Sequence, residues 1–276
     1  MKRLRSLLFL PALATSLLAK ATERGADALV VDLEDSIPMD RKAEARPLAA
    51  AAIATLVARG ATVVLRVNSA PELWHDDIAG MPLESLAAVM LPKVEARTQI
   101  DAFSAALAAR STKPPPIAAL IETPRGLLAA ADVASHPALC ALGFGAEDYS
   151  AALGVHPTPQ ALTWPAQQVI TCAHAFGLQC WGLAGSIADV DDMVTFEQAV
   201  KVGRNIGFTG SVCIHPRQVP VVNSGFSPSA QELAWAVRVV EADSAARSAG
   251  KGAVLLDGRM IDLPIVDRAR AWLAQA

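Results

Sequence analysis

Short apolar runs recur along the chain about every 25 to 30 residues, and longer segments with helical spacing of apolar positions separate them. Runs without polar alternation are typical of strands that are buried on both faces of a parallel sheet. This pattern predicts eight strands, at residues 5–10, 28–34, 62–68, 87–93, 117–122, 139–145, 177–183 and 211–216. It predicts helices at residues 41–59, 96–110, 124–134, 159–176, 190–202 and 229–249.

The strict alternation of strands and helices predicts an α/β fold with a parallel sheet. Eight such units favour a closed (β/α)8 TIM barrel over an open sheet. We assign the barrel to residues 1–222. No GxGxxG motif or P-loop opens any of the predicted helices.

The N-terminal stretch MKRLRSLLFLPALATSLLAKATERG has two interpretations. A basic start, an apolar middle and small residues around Ala21 are the three parts of a secretory signal peptide. However, eight strands are reached only if residues 5–10 form the first one, because cleavage after Ala21 would open the barrel and expose two apolar edges. Pro11 also interrupts the apolar stretch early. We therefore predict a strand at residues 5–10.

Composition narrows the class of function. The chain has 276 residues, 53% of them hydrophobic, and a formal net charge of −3 without a basic block, which argues against a nucleic-acid surface. After residue 21 the apolar runs are short and interrupted by charge, so no membrane span is predicted. The four cysteines form no CxxC pair and lie in apolar stretches, a pattern typical of buried free thiols in a reducing compartment. We expect a cytoplasmic protein.

Polar and charged residues follow the carboxyl ends of most predicted strands. In a barrel these ends converge on one face, where the active sites of this fold lie. One such residue is an ordinary solvated cap, but a whole set at one mouth predicts an active site there. The set comprises Asp32, Glu34, Asp35, Arg66, Asn68, Lys93, Glu95, Glu122, Glu147, Asp148 and His215.

Two carboxylates of this set are the candidate metal ligands. Several carboxylates without a histidine cluster or thiolates favour a hard cation such as Mg²⁺, with Mn²⁺ as the alternative. Glu122 and Asp148 follow adjacent predicted strands and leave coordination positions for water and substrate. Arg66 offers a planar fork for a substrate carboxylate. This combination suits carbon–carbon chemistry through an enolate, whose negative oxygen a cation stabilises.

Ordered sequence blocks run through most of the chain. They are RSLLFLPA, ADALVVDLEDSIP, LRVNS, LPKVE, IETPRG, GFGAEDYSAALG, GFTGSVCIHPRQVPVVNSGFSPS and DGRMIDLP. Together they resemble the citrate lyase β-subunit-like group of the HpcH/HpaI aldolase superfamily, and most of all its stand-alone members, the malyl-CoA and citramalyl-CoA lyases. The resemblance also supports the first strand, because RSxLFxPA is the first barrel strand of that family.

The resemblance implies roles for five of the strand-end residues. The Mg²⁺ ligands of the family fall on Glu122 and Asp148, and its substrate-carboxylate arginine falls on Arg66. The acids Glu34 and Asp35 would lie beside the metal and orient its waters, and we count Glu34 among the catalytic residues. The roles implied for Glu122, Asp148 and Arg66 agree with the assignment made from the strand ends.

The resemblance also gives the C-terminal segment a role. In this family an aspartate of the MIDxP motif acts as acid/base from a neighbouring subunit, and here it is Asp262. Residues 223–276 are therefore expected to form a helical extension of the same unit, with DGRMIDLPIVDRARAWL as a lid helix that reaches a partner's mouth. We expect a homo-oligomer, either a trimer or a hexamer.

Coenzyme A binding in the family involves the first βα loop. Phe9 and Lys20 match the aromatic and basic positions there, whereas the arginine expected between them is Ala14. A second departure is at the seventh strand, where related proteins carry an aspartate and this chain has QCWG at residues 179–182. We expect Trp181 of that stretch to fill barrel volume.

The expected reaction is the Mg²⁺-dependent cleavage of a short 3-hydroxy-dicarboxyl-CoA thioester, citramalyl-CoA or malyl-CoA, to acetyl-CoA and a 2-oxo acid. Three alternatives stay open. The first is a citrate lyase β subunit that acts on a citryl thioester of an acyl carrier protein, although the MIDLP tail favours a stand-alone enzyme. The second is a CoA-independent class II pyruvate aldolase, which would need a histidine base where this chain has Asp32-Leu33-Glu34. The third is a binding protein without turnover, against which the metal pair argues.

Overall fold

A computed structural model describes residues 2–250 and 252–275 of the chain. The chain forms two compact units, Met1–Phe226 and Ser227–Ala276. This boundary lies later than residue 222, because a helix at Gln218–Gly225 continues through that position.

Eight parallel strands form the sheet of the first unit. They are β1 (Ser6–Pro11), β2 (Ala28–Asp32), β3 (Val63–Arg66), β4 (Ala88–Leu91), β5 (Ile117–Ile121), β6 (Leu139–Phe144), β7 (Gln179–Gly182) and β8 (Ser211–Cys213). They pair in the order β7-β6-β5-β4-β3-β2-β1-β8, and a parallel bridge between Trp181 and Gly210 joins β7 to the start of β8. This ring confirms the predicted (β/α)8 barrel. Because β1 pairs with β2 on one side and with β8 on the other, the strand predicted at residues 5–10 is also confirmed, with a slight shift.

Helices alternate with these strands. They are α1 (Thr15–Ala19), α2 (Lys42–Ala58), α3 (Pro71–Ile78), α4 (Arg97–Ala108), α5 (Pro124–Ala134), α6 (Ala146–Leu153), α7 (Pro159–Ala175), α8 (Met193–Ile206) and α9 (Gln218–Gly225). The sequence pattern does not predict α1, α3, α6 and α9, because such short helices show too little periodicity. Helix α8 begins at Met193 rather than at residue 190, since the side chain of Asp192 caps it by accepting the Thr195 N–H. Among the described residues, no helix is both long enough and apolar enough to cross a bilayer.

Apolar side chains fill two layers of the barrel. One layer lies inside the ring of strands and includes Trp181, which is 1% exposed. The other layer packs the helices against the outer faces of the strands. Each large side chain that is buried in this way stabilises the fold by about 1.5–3 kcal/mol. The four cysteines are free, with Cys180 and Cys213 buried and Cys140 and Cys172 only half-buried.

The second unit has its own apolar cluster and consists of α10 (Ala230–Ser248), β9 (Val254–Leu256), β10 (Arg259–Ile261) and α11 (Leu263–Leu273). Strands β9 and β10 form an antiparallel hairpin, so the prediction of a helix from residue 257 onward is wrong for its first part. Asp257 and Gly258 at the turn have φ values of 50° and 75°, and two successive positive φ values are typical of a tight hairpin turn. The helix begins only at Leu263, with a proline in its first turn.

Candidate active site

A cavity of about 450 Å³ opens at the carboxyl ends of the barrel strands. Its charged part includes Asp32, Arg66, Glu122 and Asp148. Its apolar part includes Phe9, Leu120, Phe144, Trp181, Val212 and Ile214. The structure therefore brings the two predicted metal ligands and the predicted substrate arginine together in one cavity.

Arg66 and Asp32 form a two-point ion pair at the cavity wall. The parallel register of β2 and β3 places the two residues side by side. Arg66 Nε donates to Asp32 Oδ1 (2.6 Å), and Arg66 Nη2 donates to Asp32 Oδ2 (2.8 Å). Burial disfavours the charged forms of both residues, but the hydrogen bonds and the charge attraction between them have the larger effect. The pKa of Asp32 therefore lies below its usual range, and the pKa of Arg66 lies above its own. Because Asp32 engages the guanidinium fork, only the other N–H groups of Arg66 are left for a substrate.

Glu34 is buried beside Arg66 and is not part of the cavity lining. Its Oε1 accepts a hydrogen bond from Lys93 Nζ (2.9 Å), and its Oε2 lies 2.8 Å from Arg66 Nη1 without the alignment of a hydrogen bond. Burial raises the pKa of Glu34, although both neighbouring cations act in the opposite direction. Asp35, by contrast, is exposed and lines the cavity. Glu34 thus contacts the groups that hold the site rather than the space for a substrate.

The start of α5 fixes the backbone of Glu122, which directly follows β5. Thr123 is the N-cap of α5, and its Oγ1 accepts the Gly126 N–H at 3.1 Å. Pro124 occupies the first turn, where the missing N–H has no cost. The carboxylate is held as well, since Glu122 Oε2 accepts the N–H of Lys93 at 2.9 Å. The strand end and the helix cap therefore fix the backbone of Glu122, and the hydrogen bond from Lys93 fixes its carboxylate.

The surroundings of Glu122 disfavour its negative charge. The residue is 4% exposed, and burial raises its pKa to about 8, with further contributions from the charges of Glu34 and Asp148. Gly145 makes room for the carboxylate, because a Cβ at that position would lie 2.4 Å from Glu122 Oε1. A buried acid among other acids is an environment that a bound cation would relieve.

Asp148 lies half-buried in the first turn of α6 and lines the cavity with Glu122. Within residues 2–250 and 252–275, no group of three or more His, Cys, Asp or Glu side chains is arranged to hold a metal ion. Two carboxylates still fit Mg²⁺, which keeps several waters and is commonly bound in proteins through one or two carboxylates plus substrate oxygens. The donor set therefore suits a hard cation that shares its coordination with water and substrate.

The apolar wall of the cavity is formed by aromatic and aliphatic side chains. Trp181 Nε1 donates to Gln179 Oε1 at 3.3 Å, which holds the indole inside the barrel. Phe9 lies in β1 rather than in the first βα loop, and the Cζ of Arg66 is 4.6 Å from its ring centroid. This cation–π contact adds a second restraint on the arginine. A cavity with one charged and one apolar wall suits a small molecule that has a charged group at one end and apolar atoms at the other.

The predicted site residues Lys20 and Asp262 are both exposed and lie at helix ends. Lys20 is exposed at the carboxyl end of α1 and does not line the cavity. Asp262 belongs to the second unit, where it is exposed at the amino end of α11 and its side chain makes no capping hydrogen bond. At the rim, His215 Nδ1 accepts the N–H of Arg217, which is a local structural contact.

The structure gives roles to Asp32 and Lys93, for which the strand-end pattern suggests none. Asp32 neutralises Arg66, and Lys93 contacts both Glu34 and Glu122. One signal for Asp32 was present in the sequence, because an arginine at a buried strand end requires a counter-charge. No sequence signal indicates the contacts of Lys93.

Comparison with known proteins identifies the family. Residues 5–216 match the HpcH/HpaI aldolase/citrate lyase family. The chain belongs to this family. It is 34% identical to a citrate lyase subunit beta-like protein from Deinococcus radiodurans, over 98% of this chain and 96% of that protein. It is 30% identical to a (3S)-malyl-CoA thioesterase from Cereibacter sphaeroides, over 99% of this chain and 94% of that protein.

One solved structure is similar to this chain over nearly its whole length. It is the protein CitE from Mycobacterium tuberculosis in complex with magnesium, acetoacetate and coenzyme A, with a TM-score of 0.78 and 29% identity over 99% of this chain and 97% of that one. Membership of the HpcH/HpaI family confirms the resemblance found in the sequence blocks. It makes the chain a member of a lyase family of the citrate lyase β and malyl-CoA type.

Proposed function

We propose that this chain is a Mg²⁺-dependent carbon–carbon lyase that cleaves citramalyl-CoA or malyl-CoA to acetyl-CoA and a 2-oxo acid. The observation that carries this proposal is the convergence of Glu122, Asp148 and Arg66 on one cavity that has an apolar wall. The Mycobacterium tuberculosis structure contains magnesium, acetoacetate and coenzyme A. The magnesium and the coenzyme A correspond to the metal and the thioester carrier of this reaction, and acetoacetate is a short oxo acid similar in size to its 2-oxo acid product. We further propose a cytoplasmic homo-oligomer, a trimer or a hexamer.

Each charged residue has a task in the proposed reaction. Glu122 and Asp148 would hold Mg²⁺, which would supply positive charge to the oxo-acid half of the substrate. Arg66, held in place by Asp32, adds a second positive charge beside that carboxylate. When a base takes the hydroxyl proton, the oxygen electrons form the carbonyl of the 2-oxo acid and the carbon–carbon bond breaks. Its electron pair moves into the thioester enolate, which becomes acetyl-CoA on protonation.

Three further roles rest on the resemblance to the family. We propose that Asp262 transfers the proton to the enolate from a neighbouring copy of the chain, and its exposed carboxylate without a capping bond is consistent with this task. Lys20, which is exposed, is our candidate for a coenzyme A phosphate contact. Because Phe9 packs on Arg66, we propose that it shapes the oxo-acid end of the cavity.

Two neighbouring reactions are the alternatives to this proposal. One relative is named a (3S)-malyl-CoA thioesterase, so hydrolysis of the thioester is the first alternative. Another relative is named a citrate lyase subunit beta-like protein, which keeps a carrier-protein thioester as the second. The thioester that is consumed and the products that are released distinguish all three reactions.

The metal pair is tested by measuring acetyl-CoA release from both thioesters with Mg²⁺ and with EDTA. We expect the wild type to be active only with Mg²⁺, and Glu122→Gln and Asp148→Asn to lose about 10³-fold in kcat/KM, because each removes a charged ligand. Glu84→Gln, at an exposed site away from the cavity, is the matched control and should retain full activity. Activity that persists in EDTA, or in either ligand variant, would rule out the proposed metal pair.

The apolar wall should limit the size of the 2-oxo acid. Trp181→Leu removes the largest fully buried side chain and enlarges the cavity. In the condensation direction, we expect the ratio of kcat/KM for 2-oxobutyrate over pyruvate to rise about tenfold, since one methylene is worth about 1–3 kcal/mol in an apolar pocket. Trp164→Leu, at a position that is 62% exposed, is the matched control. An unchanged ratio in Trp181→Leu would show that this wall does not contact the oxo acid.

A further inference from the structure

Lys93, which follows β4, has a backbone conformation that lysine rarely adopts. Its φ is 53°, and the other non-glycine residue with positive φ in the described part of the chain is Asp257 in the hairpin turn. A side chain in this left-handed region is strained, so the conformation persists only where the surroundings determine it. Such residues cluster at functional sites. The strained conformation allows Lys93 to contact two carboxylates of the candidate site.

Both ends of Lys93 reach the candidate active site. Its backbone N–H donates to Glu122 Oε2 at 2.9 Å, and its Nζ donates to Glu34 Oε1 at 2.9 Å. The next residue, Val94, donates its N–H to the carbonyl of Leu120 at 3.0 Å, which ties the turn to β5. The left-handed turn thus directs the backbone N–H to Glu122, while the side chain extends to Glu34.

The side chain of Lys93 belongs to a row of alternating charges. Glu34 has Lys93 Nζ on one oxygen and Arg66 Nη1 at 2.8 Å from the other, and Arg66 is paired with Asp32. Lys93 Nζ also donates to Asp35 Oδ1 at 3.3 Å. Without the ammonium group, the negative charge of Glu34 would act on Arg66 alone and draw it away from its position beside the cavity. Lys93 does not line the cavity of the candidate metal ligands; it lines a second cavity that shares Asp35 with the first, so the link of its side chain to Arg66 runs through these neighbours.

We propose that Lys93 is a positioning residue of the lyase site. Its strained backbone holds the carboxylate of Glu122, and its ammonium group holds Glu34 and, through Glu34, Arg66. The expected changes in kcat and KM rest on the proposed lyase function. The expected changes in melting temperature do not depend on any activity.

The kinetic test compares three substitutions at this position. Lys93→Ala and Lys93→Gly both remove the ammonium group and keep the backbone N–H. We expect kcat to fall by about tenfold or more in both, with KM for the thioester within about threefold of the wild type. Calorimetric binding of Mg²⁺ alone should also stay within about threefold, because the N–H to Glu122 remains. Lys93→Arg keeps a cation and should recover part of the lost kcat.

Melting temperatures test the strained backbone of Lys93 and its hydrogen bond to Glu34, without any activity measurement. Lys93→Gly should melt at a higher temperature than Lys93→Ala, because only glycine adopts a positive φ without strain. Lys93→Met and Glu34→Gln should also be non-additive, so that the double variant loses less melting temperature than the sum of the two single losses.

Several results would overturn the proposal. An unchanged kcat in Lys93→Ala and Lys93→Gly would do so. A loss of kcat that is matched by equal changes in KM and in Mg²⁺ binding would also do so. Additive losses of melting temperature for Lys93→Met and Glu34→Gln would show that the Lys93–Glu34 hydrogen bond does not stabilise the protein. If the wild type cleaves neither thioester, the proposed function fails, and the melting comparisons still decide the role of Lys93.

Discussion

Gly145→Ala should lower the kcat/KM for Mg²⁺-dependent cleavage by about 10²-fold or more while the barrel remains folded. Gly145 precedes α6, and a Cβ at this position would lie 2.4 Å from Glu122 Oε1 and 2.6 Å from Glu122 Cγ. The other carboxylate oxygen is held by the Lys93 N–H at 2.9 Å, so the side chain cannot retreat without losing that bond. The added methyl group therefore displaces Glu122 from the proposed metal position.

The measurements are kcat/KM and a calorimetric titration with Mg²⁺, for which we expect the dissociation constant to rise about tenfold or more. Gly154→Ala is the matched control, because Gly154 ends α6 at a φ of 70° and a Cβ there would meet nothing within 4 Å. The control should cost about 1 kcal/mol of stability, from the unfavourable φ, and no activity. Wild-type activity with a wild-type Mg²⁺ requirement in Gly145→Ala would show that Glu122 is not a metal ligand.

Asp32→Asn should lower the free energy of unfolding at pH 7 by about 2 kcal/mol or more, because it removes the charge of one of the two buried carboxylates that pair with the guanidinium of Arg66. Asp32 is 1% exposed and accepts both hydrogen bonds of the guanidinium fork. Urea unfolding of both proteins at pH 7 measures the difference. Asp40→Asn, at an exposed site, is the control and should change stability by less than about 0.5 kcal/mol.

The same pair of proteins tests the ionisation of Asp32. Burial would raise the pKa of Asp32, but the hydrogen bonds and charge of Arg66 outweigh it and hold the pKa below its usual range. A carboxyl whose pKa is lower in the folded state stabilises the protein above its unfolded pKa of about 3.9, and this contribution is lost as the pH falls further. The stability difference between wild type and Asp32→Asn should therefore shrink between about pH 5 and pH 2. A difference that stays constant over this range would contradict an ionised Asp32.

The barrel could be predicted because most of its strands are nearly continuous in apolar residues. β2, for example, is buried at all five positions, so the run ALVVD has no polar alternation to obscure it. The hairpin formed by β9 and β10 was missed, because three-residue strands around Asp257 and Gly258 carry little periodicity.

The candidate site was predictable as far as strand ends determine it. Glu122, Asp148 and Arg66 come together because parallel strands place their carboxyl ends at one mouth. The pairing of Asp32 with Arg66 depends on the register of two strands, which the pattern of apolar residues does not specify. The role of Lys93 depends on a single backbone angle that no residue pattern encodes.

Carbon–carbon cleavage by this chain is tested most directly by analysis of its products. Citramalyl-CoA and malyl-CoA are each incubated with the Mg²⁺-loaded protein, and CoA species and acids are quantified by mass spectrometry. We predict acetyl-CoA and pyruvate or glyoxylate in equal amounts, without free coenzyme A. Free coenzyme A together with an intact hydroxy diacid would show hydrolysis of the thioester and would contradict the lyase reaction.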